Sequence, residues 1–178
     1  MINTYLKKGT LIYTQNGYVP IEDITVNTTV LTHWGFWKEV TAIDKKTATS
    51  FYNLSGKGML PTLITPESKI LIKNSIVDTL DWREINKVTD SVFSSFVIPK
   101  EHEDIDDEIE LFNNYLLDDL KINDEKEIDK YYAFINGGYL FRKVTNNELI
   151  IVHETECYGI EVTGGKSYIA NGLIVHCW

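Results

Sequence analysis

The rhythm of its turns most limits what this 178-residue chain can fold into. From Gly9 to about Pro99, short apolar-alternating runs are broken by turn residues roughly every 8–12 positions, the pattern of an all-β sandwich or barrel. "TLIYTQNGYVPIEDI" is a strand followed by a turn at Asn16-Gly17. "TTVLTHWGFWKEVTAI" is two strands broken at Trp34-Gly35. "FYNLSGKGMLPTLITPESKILIK" repeats the scheme around Gly56, Gly58 and Pro61, and "SVFSSFVIP" adds a strand. The pattern resumes after Asn136-Gly137-Gly138 with "YLFRKVT", "ELIIVHETECYGIEVT", the turn Gly164-Gly165-Lys166, "SYIA", Asn171-Gly172 and "LIVHCW".

Between these halves the period changes. Ile105, Ile109, Phe112, Leu116, Leu117 and Leu120 recur at helical spacing. The net charge is −9, and 13 of the 26 acidic residues lie between Glu101 and Lys130, against three lysines. We therefore expect a β domain in two parts, 1–100 and 136–178, around an acidic helical insertion at 101–135. The acidic face reads as solvated or as a contact for a basic partner. Asp104, Asp106 and Asp107 lack the glycine and distal glutamate of an EF-hand loop.

The charge also argues against a general nucleic-acid binder, which must neutralise phosphates. No apolar run approaches the ~20 residues of a membrane-spanning helix, and "MINTYLKKGT" lacks the apolar region of a secretory signal. Two cysteines make no disulfide framework. No cofactor is expected. His153 and Cys157 have zinc-like spacing, but His176 and Cys177 are neighbours on a predicted strand and point to opposite faces, which disfavours one tetrahedral site. His33 and His102 have no partner pattern and read as surface residues.

With the pieces in order, the chain resembles the Hint family, the domain shared by inteins and hedgehog autoprocessing proteins. "YLKKGTLIYTQNGYVPIEDITVNTTVLT" is similar to the family's first block, "TLITPESKILI" to the second, and "DWREINKVTDSVFSSFVIP" to the segment that follows. "ECYGIEVTGGKSYIANGLIVHCW" resembles the closing blocks. The resemblance implies an all-β horseshoe of short strands. It also implies self-splicing chemistry: a first-position nucleophile that forms a thioester or ester, a threonine and histidine that stabilise its intermediate, and a penultimate histidine assisting cyclisation of a final asparagine.

Residue by residue, most of that chemistry is missing. Tyr5 stands at the nucleophile's position, with Thr4 adjacent but misplaced. Thr65 matches the second-block threonine, whereas Ser68 stands where histidine belongs and cannot shuttle a proton near neutral pH. His176 matches the penultimate histidine, but Cys177 follows where asparagine should be. Some relatives start from an internal cysteine placed after the closing-block tyrosine; that position is Gly159 here, and Cys157 lies two residues earlier. We thus expect a degenerate, stand-alone Hint-like domain, with His176, Cys177 and Thr65 vestigial, acting as a structural or interaction module. Its partners would be protein subunits, a second copy among them, with no nucleic acid or membrane. The composition, with 21 Ile, 13 Asn and 15 Lys against 2 Arg, suits an AT-rich genome such as many phages have. On that basis the expected location is the cytoplasm when made, then a virion. The alternative is residual self-processing by Cys177 with His176.

Overall fold

The computed structural model describes residues 2–56, 60–74, 80–89, 93–97, 133–136 and 139–177. Among these every regular element is a strand, apart from two single 3-10 turns at Ile21–Asp23 and Ile85–Lys87. The expected helical insertion, 101–135, lies outside the described residues as far as residue 132. The far end of the expected insertion is corrected: Ala133–Asn136 is a strand (β10) paired with Tyr139–Lys143 (β11). The apolar run Ala133-Phe134-Ile135 there suits a paired strand better than a solvated helix end.

All described pairings are antiparallel. The first part contributes β1 (Leu6–Lys7), β2 (Leu11–Thr14), β3 (Gly17–Pro20), β4 (Thr29–Leu31) and β5 (Trp37–Ser55). It continues through β6 (Thr62–Ile64), β7 (Lys69–Lys73), β8 (Asp81–Glu84) and β9 (Phe93–Val97). After β10 and β11 come β12 (Asn146–Val162), β13 (Ser167–Ala170) and β14 (Leu173–His176). Residues from the two ends of the chain interleave. Ala170 of β13 lies opposite Ile12 of β2, and Val175 of β14 opposite Ile70 of β7. Leu6 of β1 is paired with both Tyr158 of β12 and Ile64 of β6.

Turn chemistry explains the hairpins. Asn171 and Gly172 both have positive φ, 49° and 81°, and Ala170 faces Leu173 across them, the two-residue loop that matches strand twist. At Asn16-Gly17 only the glycine is left-handed, with φ 96°.

Two strands are not short. β5 runs for 19 residues and β12 for 17, and they pair along most of that length. The stretch "DKKTATS" inside β5 looks like a loop because it is polar, but β12 supplies its backbone partners. A ladder mismatch between Ile151 and Thr155 bulges β12 mid-way.

The main core joins Leu6, Ile12, Val30, Ile64, Ile70, Ile160, Tyr168 and Val175, all with no measurable exposure. A second cluster, Leu31, Leu71, Ile169 and Ile174, is rimmed by Tyr13, Trp37 and Trp82. Alternate residues of β13 and β14 feed the two clusters, so these strands are buried on both faces. That accounts for the near-continuous apolar "LIV" of β14.

Candidate functional site

Two centres emerge. The first surrounds Tyr5, just before β1. The Tyr5 side chain is only 7% exposed and packs with Phe51 and Cys157, against which Ile2, Leu63, Ile150 and Val152 also lie. Its hydroxyl donates to Asp44 Oδ2, and the Lys46 ammonium sits 3.8 Å over its ring. Burial, then the Asp44 carboxylate, pushes the phenol up to about 12. Lys46 also pairs with Glu67 at 2.7 Å. Burial works against the Glu67 carboxylate, yet Lys46 together with hydrogen bonds from the backbone and Thr65 holds the group below its usual range.

The turn before β7 closes this centre. The Thr65 N–H donates to the Tyr5 carbonyl at 3.0 Å, and the Thr65 and Ser68 hydroxyls share a buried hydrogen bond at 3.0 Å. Ser68 is held further by its own N–H to the Thr65 carbonyl, and its carbonyl accepts from the Ile85 N–H. Opposite, the chain before Tyr5 presses on β12 at Gly159. A Cβ there would stand 2.3 Å from Ile2 Cγ2 and 2.6 Å from the Thr4 carbonyl oxygen. Only glycine leaves room for this arm.

The thiol next to Tyr5 is Cys157, not Cys177. It is fully buried on β12, faces Lys46 across the ladder, and its Sγ donates to the Lys46 carbonyl at 3.5 Å. Burial raises its pKa; Glu67 and Asp44 add to the rise while Lys46 opposes it. His153, the other half of the zinc-like spacing, is exposed. Among the described residues no three His, Cys, Asp or Glu side chains gather to hold a metal.

The second centre lies at the end of β14. Cys177 turns into the main core, its N–H donating to the Lys166 carbonyl and its Sγ to the Gly165 carbonyl. Burial drives this thiol up to about 11, so at neutral pH it is protonated and enclosed. His176 faces the other way, half-buried and edge-on to Trp82 at 4.8 Å. The two neighbours therefore do not meet as a catalytic pair.

Instead the structure gives His176 a companion that the spacing did not reveal. His33, read from sequence as a surface residue, is half-buried beside Trp82 at 5.5 Å. Its backbone N–H donates to Ser167 Oγ at 2.9 Å, and its Nδ1 lies 2.7 Å from the same hydroxyl. Desolvation lowers the His33 pKa, as do the charges of His176 and Lys166. His102 and Trp178 lie outside the described residues.

Solved structures share this arrangement of strands. A bacterial intein-like domain from Clostridium thermocellum superposes with a TM-score of 0.61 at 16% identity, covering 98% of each chain. The DnaB intein of Synechocystis gives 0.61 at 11% identity over 98% of this chain and 99% of that one. The gp41-1 intein gives 0.59 at 15% over 97% and 98%. The fold is intein-like. No family model matches the sequence, and no curated protein matches it either.

Within this intein-like fold, the end of β14 runs alongside the start of β7, since Val175 lies opposite Ile70 in an antiparallel ladder. The Thr65–Ser68 turn and His176 therefore sit toward the same end of that ladder. Tyr5 is bonded to that turn through the Thr65 N–H. Asp44, Lys46, Glu67, His33 and Trp82 were not legible as site residues, since each depends on a partner from a distant part of the chain.

Proposed function

We propose that this is a non-splicing intein-like domain that serves as an interaction module, as a component of a virion. The observation that supports this reading best is the state of Tyr5. A nucleophile at that position must attack the Thr4 carbonyl, but the phenol is tied to Asp44, covered by Lys46 and resistant to ionisation. Both cysteines are buried with raised pKa values, and Ser68 is bound to Thr65 where a proton shuttle would be needed. The site keeps its hydrogen-bonded frame and lacks its reactive groups. The virion setting rests on composition and is an association with AT-rich genomes.

The test is the intact mass of the chain expressed with folded tags on both sides and held with 50-fold excess (about) of a small thiol. The expected result is an unchanged mass and slow labelling of both cysteines until denaturant is added. Release of either tag, stopped by Cys177→Ala, would establish residual self-processing instead. A Tyr5→Cys, Ser68→His double variant is expected to show thiol-dependent cleavage after Thr4, because the Thr65 N–H already anchors residue 5 through its carbonyl, beside the bond to be cut.

A further inference from the structure

The β5–β12 ribbon carries the most exposed large apolar side chain among the described residues, Ile151 at 75%, with Leu149 at 53% two positions away. Directly opposed residues of an antiparallel pair share a face, so Leu149 lies beside Tyr52 and Ile151 beside Ser50. The alternate residues Ile150 and Val152 point the other way, into the cluster of Tyr5, Phe51 and Cys157. Nothing in the core calls for Leu149 and Ile151 to be apolar.

Among the described residues, the same stretch also has an edge with no strand beside it. On the side away from β5, the pairing with β1 begins only at Glu156, whose carbonyl accepts from the Lys8 N–H. From Asn146 to Thr155 no strand among the described residues pairs with that side of β12. Edges of this kind are commonly guarded by lysine or proline. Here the charges are Glu148 and Glu154, both exposed, and Glu154 accepts a hydrogen bond from Thr47, with no ion pair among the described residues. The nearby lysines Lys8 and Lys45 are both committed to Glu156 beyond the bulge.

We infer that the outer edge of β12, from about Glu148 to Val152, is a docking site for an extended segment of a partner protein in which apolar and basic residues alternate. Backbone bonds to the edge would supply the pairing, the Leu149–Ile151 face would take the apolar residues, and Glu148 and Glu154 would meet the basic ones. Charge decides against a second copy as the occupant. Each copy carries −9, and antiparallel pairing centred on Ile151 would set Glu148 opposite Glu154. This deepens the interaction-module reading and rests on it; the intact-mass experiment tests the non-splicing part of that reading without involving the 148–152 edge.

The experiment is a titration of the full chain with two capped seven-residue peptides, one alternating lysine with valine and the other glutamate with valine. It is followed by calorimetry and by amide hydrogen exchange. The lysine peptide is expected to bind, to slow exchange within 148–152, and to weaken with added salt. Ile151→Ser is expected to lower its affinity about tenfold, and Val26→Ser, on an exposed apolar residue elsewhere, to leave it unchanged. Equal binding of both peptides, no binding, or protection elsewhere would overturn the inference. So would a concentration-dependent dimer abolished by Ile151→Ser, which would identify a second copy as the occupant.

Discussion

Gly159 sets part of the candidate site's geometry by having no side chain. Its missing side chain lets Ile2 and Thr4 lie against β12, and through them it seats Tyr5 between Asp44 and Lys46. Gly159→Ala puts a methyl group inside contact distance of a backbone oxygen, which cannot move aside as a flexible side chain could. We expect a loss of about 1–3 kcal/mol, or about 2–4 °C in Tm per kcal/mol for a chain of this size, measured by thermal unfolding. The loss should disappear when residues 1–4 are deleted from both proteins, because the collision goes with them. A merely local effect on the strand would persist in the shortened pair.

At the scale of elements, the β13–β14 hairpin is set by one side chain. Asn171 adopts a left-handed conformation, its Oδ1 accepts from the Leu11 N–H at 2.9 Å, and its Nδ2 donates to Thr62 Oγ1 at 3.1 Å. It thereby ties the hairpin to β2 and to the start of β6. Asn171→Ala strands the Leu11 N–H and puts alanine at positive φ, a cost of about 2–4 kcal/mol that should appear in the urea midpoint. Asn171→Asp keeps the acceptor and should lose less than half as much. The turn was legible as Asn-Gly in the sequence. Its grip on Leu11, 160 positions away, was not.

Across the whole molecule, acid should act in two stages. His33 is neutral in the folded state and its pKa is lowered, first by desolvation and then by His176 and Lys166. Its contribution to stability is therefore complete above the ordinary value of 6.5 and is lost as pH falls from there through the folded value. Glu67, Glu84 and Glu156 are held below their ordinary 4.5 by Lys46, Lys87 and Lys45 with Lys8. Their contribution is lost at lower pH again, and Glu84 and Glu156 are too solvated for theirs to be large. Urea unfolding at pH 7.5, 6.0 and 5.0 should show a first decline that His33→Asn flattens. An undiminished decline in that variant would assign the first stage to other groups.

The all-β class, the hairpin at Asn171-Gly172, the break at Trp34-Gly35 and the chemical character of Tyr5, Ser68 and Cys177 could be read from the chain alone. They rest on local properties: alternation, turn chemistry and which side chains can react. The length of β5 could not be read, because "DKKTATS" becomes a strand only when β12 supplies its partners. Nor could the surroundings of the reactive groups. Whether Cys177 faces its neighbour His176 or the core, which thiol stands beside Tyr5, and that His33 joins His176 at Trp82 all depend on contacts between distant segments. Sequence determines what a side chain is able to do; burial and distant partners, set only when the strands from both ends interleave, decide its charge and what it can reach.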